Sequence, residues 1–149
     1  MSSHSSVRAG FTLIELLVVI AIIATLAAVV APSIFGNVGD ARRSAAKSQL
    51  QILALALDQY RLDNDAYPTT EQGLAALRVP PSGVTTATWR GPYLRQEVPL
   101  DPWGRPYVYL APGAANPTGY DLYTLGRDAA VGGFGEDADL TAWHGPVRS

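Results

Sequence analysis

The sequence predicts an α+β fold in which one long N-terminal helix is followed by a small antiparallel sheet. Three observations carry that prediction. Residues 11–31, FTLIELLVVIAIIATLAAVVA, are apolar at eighteen of 21 positions. Helical character continues from Val38 to about Asp63. Two short runs, PYVYL (106–110) and YDLYTL (120–125), are rich in aromatic and β-branched residues, and residues 111–119 between them form a hairpin connection.

Composition narrows the function classes. The 149 residues suffice for one domain with a modest core. Charged residues make up 16%, below the ~25% of an average soluble domain. The formal net charge of -2 argues against a nucleic-acid binder. The chain has no Cys, which excludes disulfides, thiolate zinc sites and Cys nucleophiles. Only His4 and His144 are present, too few for a His-based metal site or a His-dependent triad. The G-x-S-x-G, H-E-x-x-H and Walker patterns are missing, so catalysis has no visible machinery.

Taken in order, residues 1–10 are short and polar. The 11–31 run reaches the ~20 residues that span a bilayer as a helix. Its 13 Leu, Ile, Val and Phe residues favour insertion by about 0.3–0.6 kcal/mol each, against about 3 kcal/mol for a central acid. Glu15 sits near one end, where its cost is lower. A cleaved secretory signal is the alternative. Its usual core of about 7–15 residues is shorter, and a carboxylate five residues into that core is foreign to it. Arg8 precedes the run and Arg42, Arg43 and Lys47 follow it, so loop charge does not set orientation.

Pro32 near the end of the run is expected to kink the helix, and Gly36 and Gly39 weaken it. The segment LQILALAL (50–57) is apolar nearly all round. Either two partners cover it, the chain's own head and another subunit, or it is buried in its own core. Asp63-Asn64-Asp65 and Pro68 stop the helix. Thr69 and Gln72 then form a capping box before the short helix GLAAL. Residues 80–106, rich in Pro and Gly, read as an ordered irregular loop. The tail 126–149 has five glycines and no periodic run. Trp103 and Trp143 read as core or loop anchors, and Arg42, Arg43 and Lys47 as a solvated helix face.

Two constellations carry chemistry. The first is Gly10-Phe11-Thr12-Leu13-Ile14-Glu15. A lone carboxylate in an apolar helix needs a partner. A cut after Gly10 would give Phe11 a free α-amine, four residues from Glu15 and on the same helical face. That amine would pair with Glu15 of its own chain or of an adjacent subunit. The second arrangement gives each subunit one acid and one base, which suits head-to-tail helical polymerisation. The alternative is an end-of-helix Glu that snorkels to the headgroups. The second constellation is the stretch 120–140, where Asp121, Asp128, Glu136, Asp137 and Asp139 face Arg127 alone. Asp128, Asp137 and Asp139 lie in a Gly-rich segment whose carbonyls can turn inward, as calcium requires, although no EF-hand pattern is present. A solvated acidic loop is the alternative.

GFTLIELLVVIAIIATLAAVVAP resembles the N-terminal signature of type IV pilins and pseudopilins. The resemblance implies that a prepilin peptidase cuts between Gly10 and Phe11 and methylates Phe11, that Glu15 is the assembly glutamate, and that Pro32 is the kinking proline. AYPTTEQGLAAL (66–77), GPYL (91–94), VPLDPWGRPYVYL (98–110) and YDLYTLGRDAAVGGFGEDADLTAW (120–143) resemble the major pseudopilins of the type II secretion system. This implies a type IV pilin-like fold with a Ca2+-binding C-terminal loop. Asp128 and Asp139 would be the firmest ligands, with Asp137 and the carbonyls of Leu125 and Ala130 completing the set. Ala129 stands where the family often has Gly, a departure that bears on the turn.

The resemblance further implies a leader over 1–10, a transmembrane and polymerisation helix over 11–35 and a periplasmic domain over 36–149. The chain would be a single-pass protein of the bacterial inner membrane. Its partners would be copies of itself in a helical filament, minor pseudopilins, the prepilin peptidase and the inner-membrane assembly platform. The filament would push folded proteins through the outer-membrane channel, driven by a separate cytoplasmic ATPase. The rivals are a type IV pilin, a minor pseudopilin and a monomeric membrane-anchored calcium-binding module.

Overall fold

The computed structural model describes residues 10–84, 87–143 and 145–147; the side chains of residues 29–37 lie outside the described set. Residues 1–9 of the expected leader, and the Pro32 side chain on which a kink would depend, therefore fall outside it. The chain forms two compact units, Met1–Val38 and Gly39–Ser149.

In the first unit the backbone becomes helical at Leu13, the start of α1 (Leu13–Asn64). Every described side chain from Leu13 to Ala28 is exposed, including Leu13 at 87% and Ile14 at 71%. Among the described residues no helix is long and apolar enough to cross a membrane.

In the second unit α1 runs on to Asn64, where the sequence places its end. The stop has a local cause. Asp65 adopts φ 61°, the left-handed conformation that closes a helix, and the Asn64 side-chain amide donates to the Tyr60 carbonyl at 2.9 Å. The capping box also forms as read. Thr69 N donates to Gln72 Oε1 at 2.9 Å, and Gln72 N to Thr69 Oγ1 at 3.3 Å. The turn it starts leads into a 3-10 helix, Leu74–Leu77.

The sheet has three antiparallel strands in the order β1-β2-β3: β1 Val108–Leu110, β2 Asp121–Thr124 and β3 Leu140–Thr141. β1 and β2 are the expected hairpin, with Tyr109 opposite Leu122. β3 escaped the sequence reading because two residues give no period-2 signal. It exists because Thr124 and Tyr123 offer it partners in Leu140 and Thr141.

α1 packs on this unit through Ala46, Leu50, Leu53, Leu57 and Tyr60, which join Leu77, Tyr107, Tyr109, Leu122 and Leu140 in one core. The spacing 50, 53, 57, 60 is one helical stripe. The other side of LQILALAL is not covered: Ile52 is 57% and Leu55 69% exposed. The helix is therefore not buried in its own core, and of the two readings of its all-round apolarity that one is removed. Residues 80–106 carry no helix or strand among the described positions, yet they are tied down. Trp89 Nε1 donates to the Ala76 carbonyl at 3.1 Å and Tyr93 N to the Leu77 carbonyl at 2.8 Å. From β1, Tyr109 Oη donates to the Pro68 carbonyl at 2.8 Å. Burial pushes the Tyr60, Tyr107 and Tyr109 hydroxyls above their ordinary range, so they stay protonated donors.

Candidate functional site

The two constellations read from the sequence lie in different units. At the N-terminal one, Gly10 and Phe11 precede the helix and are exposed, Phe11 at 86%. Thr12 is the N-cap. Glu15 N donates to Thr12 Oγ1 at 3.3 Å, while Glu15 Oε2 accepts from Thr12 N at 3.4 Å and from Thr12 Oγ1 at 3.5 Å. This is a reciprocal capping box, legible as T-x-x-E at 12–15 and overlooked in the sequence. It corrects one expectation. Phe11 lies outside the helix, so it does not share a helical face with Glu15; the cap fixes the helix start after Phe11. The contacts to Glu15 are long for hydrogen bonds, so the carboxylate is only loosely held.

The second constellation is the loop from Leu125 to Asp139. It leaves β2 through a chain of left-handed residues: Gly126 (φ 66°), Ala129 (φ 59°), Gly132 (φ 101°), Gly133 (φ 84°) and Gly135 (φ 61°). Gly126 has no alternative, since an added Cβ would lie 2.6 Å from the Glu136 carbonyl oxygen. Ala129 holds the left-handed turn that glycine adopts freely. A non-glycine residue there stores strain of about 1 kcal/mol in the turn. Asp128 Oδ1 accepts from Ala130 N at 3.1 Å across that turn.

The three aspartates do not gather. Asp137 is held by Arg127 through two bonds, Nε to Oδ1 at 2.9 Å and Nη2 to Oδ2 at 3.0 Å. Asp139 Oδ2 accepts from Gly132 N at 2.9 Å, and its Oδ1 is buried with no hydrogen-bond partner among the described residues. Among the described residues no group of three or more His, Cys, Asp or Glu is placed to hold a metal ion. The structure thus sets Asp137 in an ion pair, where the sequence expected a ligand. The cause is Arg127, the sole base in the stretch, whose planar fork matches a carboxylate. Asp128, Asp139 and the Leu125 and Ala130 carbonyls stand on the same loop. A buried carboxylate oxygen without a donor fits a cation, because such an atom is costly to leave unpaired.

Sequence reasoning missed Glu136 as an organiser. Its Oε2 accepts from Trp103 Nε1 at 3.2 Å and from Arg42 Nη1 at 3.4 Å. The indole bond, then the Arg42 bond and the charges of Arg127 and Arg42, hold its carboxyl below the ordinary value of 4.5. Gly39 makes room for it: a Cβ there would lie 2.7 Å from Glu136 Oε1. Arg42 is therefore partnered and not merely part of a solvated face. Trp103 and Trp143 are half-buried anchors, as read; Trp143 meets Tyr123 edge to face at 6.1 Å. Two further acids have structural roles the sequence reading did not show: Asp101, not singled out, and Asp121, counted only among the acids of 120–140. Asp101 Oδ1 accepts from Trp103 N at 3.0 Å and Arg105 N at 2.8 Å, and its Oδ2 accepts from Thr124 Oγ1 at 2.5 Å. Asp121, 1% exposed, accepts from Ala115 N, Asn116 N and Asn116 Nδ2 at 2.7, 3.0 and 2.9 Å. The D-P-W-G-R turn signalled the first; nothing local signalled the burial of the second.

Comparison with known proteins places these features. The profile of the family described as type II secretion system (T2SS), protein G, matches residues 33–143. The prokaryotic N-terminal methylation motif matches residues 5–31. The chain is similar to the type II secretion system core protein G of Pseudomonas aeruginosa, 45% identical over 137 residues, which cover 91% of this chain and 95% of that one. It is similar to the protein of the same description from Vibrio cholerae, 42% identical, covering 92% of each chain. Among solved structures it resembles the major pseudopilin from the type 2 secretion system of enterohaemorrhagic Escherichia coli. That match has 40% identity and a TM-score of 0.55, and covers 72% of this chain and 90% of the other.

Proposed function

The chain belongs to the type II secretion system protein G family, whose solved relative is a major pseudopilin, and on that premise we propose how its own residues process, anchor and assemble it. It is a structural subunit of a secretion system with an N-terminal methylation motif, an inner-membrane-anchored periplasmic protein. The observation that carries this is that two profile matches, 5–31 and 33–143, run through nearly the whole chain in the expected order.

The peptidase cuts between Gly10 and Phe11, both exposed and non-helical, and Phe11 becomes the N-methylated terminus. The apolar segment within 11–35 anchors the subunit in the inner membrane, with residues 36–149 in the periplasm. Glu15 then exchanges its loose bonds to Thr12 for the terminal amine of a neighbouring copy. Within a bilayer that exchange trades a weak local cap for a charge pair. Copies joined in this way grow into a helical filament, with minor pseudopilins and an inner-membrane assembly platform as partners, and its growth drives folded proteins across the outer membrane.

The C-terminal loop serves that filament as a calcium clamp. Asp128, Asp139 and the carbonyls of Leu125 and Ala130 hold the ion, and the support is the unpartnered Asp139 Oδ1. Asp137 keeps its ion pair with Arg127. A Ca2+ ion held there would supply the positive charge that Asp128 and Asp139 lack.

Mass spectrometry of the mature N-terminus tests the reading. N-methyl-Phe at residue 11 is expected, and an intact residue 1 or a cut elsewhere overturns it. For the loop, calcium at about 100 times its Kd is expected to stabilise the protein by about 2.7 kcal/mol. An unchanged melting temperature on chelation removes the clamp and leaves the filament standing.

A further inference from the structure

Phe134 is 93% exposed, at the tip of the C-terminal loop, and Val131 beside it is 61% exposed. Among the described aromatic residues of the Gly39–Ser149 unit it is the one whose ring is left almost wholly in water, and no packing explains it. The backbone that carries the ring is tied down. Asp137 N donates to the Phe134 carbonyl at 3.1 Å, and the left-handed Gly133 and Gly135 flank it. Gly133 is pinned in turn, since a Cβ there would lie 2.5 Å from the Asp137 carbonyl oxygen.

The same unit carries a cleft of ≈530 Å³ between the 3-10 helix and the 97–109 segment. Leu74, Val79, Val98, Leu100 and Tyr109 line it, and Val79 and Leu100 are 64% and 54% exposed. The volume falls in the ~300–1,000 Å³ range of clefts that take a guest. The cleft lining itself carries one arginine, Arg78, and one carboxylate, Glu97, and Arg90 and Arg95 lie on the same 73–109 segment, whereas 127–139 carry four carboxylates and one arginine. The loop stays acidic even after a divalent cation binds.

We infer that Phe134 of one copy seats in the Leu74–Val79–Leu100 cleft of the next copy. A knob and a socket on different parts of one chain make a heterologous contact, which propagates into an open filament where a two-fold contact would close on itself. This rests on the filament reading above and names a surface that carries it. One aromatic buries about 150–250 Å², well short of the ~1,200 Å² of a stable interface. The contact therefore acts as a hot spot within the filament and does not dimerise free subunits.

Full-length chains carrying Phe134→Cys and chains carrying Leu100→Cys, co-expressed with the secretion apparatus, test it. The native chain has no Cys, so background is nil. Oxidation is expected to give a dimer joined through positions 134 and 100 only when both chains are present. Filaments that form without this dimer overturn the inference and spare the filament reading; wild-type chains that form no filament overturn both. A benzophenone on Phe134→Cys that labels lipid and not protein assigns the ring to the membrane surface and also overturns it. Phe134→Ala is expected to weaken filament growth about tenfold or more, with Phe134→Leu recovering most of it; equal growth in all three overturns it.

Discussion

Two loops flank β2 and have opposite structures, one closed around the strand's own Asp121 and the other carrying aspartates itself. The hairpin loop 111–119 is closed by the protein alone. Asp121 is buried and takes three hydrogen bonds from Ala115 and Asn116, and Gly113 is so close that an added Cβ would collide with its carboxylate. The C-terminal loop 125–139 is mostly exposed, runs through five left-handed residues and leaves one buried carboxylate oxygen unmet. A carboxylate whose oxygens are met by amides is a finished piece of structure, whereas one with a buried oxygen left unmet is half of a site.

The sharpest way to break that contrast is Asp121→Ala. It strands three half-buried donors and should cost about 3 kcal/mol with or without calcium, read as a shifted denaturation midpoint. A calcium-dependent cost there would erase the distinction between the loops. Asp139→Ala should behave the other way. Without calcium it should be close to silent, and with saturating calcium it should lose the ~2.7 kcal/mol the wild type gains, followed by calorimetry with and without chelator. A smaller effect is expected at Ala129→Gly, which releases left-handed strain and should stabilise the protein by about 1 kcal/mol; a loss of stability would mean the turn is not strained.

The smallest effect concerns Glu136, which ties the C-terminal loop to Arg42 and Trp103. Its folded pKa lies below the ordinary 4.5, so its contribution is present above that value. It disappears as pH falls through the lower folded value. Wild type should therefore lose more stability than Glu136→Gln as pH falls from above 4.5 to below the lowered folded value. Parallel melting curves against pH would show Glu136 to be a spectator.

Much of the fold was legible because it rests on local chemistry. The Asp-Asn-Asp stop appears as a left-handed Asp65, the Thr69/Gln72 box forms both bonds, and the 106–125 hairpin pairs in register. The N-terminal signature and the head motifs led to the family that the profiles match. Of the candidate loop, the sequence shows that Asp128, Asp137 and Asp139 are close along the chain; that Asp137 pairs with Arg127 is a choice no spacing encodes. β3 was invisible because a two-residue strand borrows its conformation from its neighbour.

Residue order alone thus settled where helices start and stop, which turns need glycine or a cap, and which family the chain belongs to, since caps, periods and motifs act over a few residues. Folding in three dimensions determined which acids are finished and which are open. It buried Asp121 and Asp101 among amides, gave Glu136 an indole and a guanidinium from distant segments, and left Ile52, Leu55 and Phe134 uncovered. Burial and pairing depend on what the rest of the chain brings alongside, and that is a property of the packed molecule.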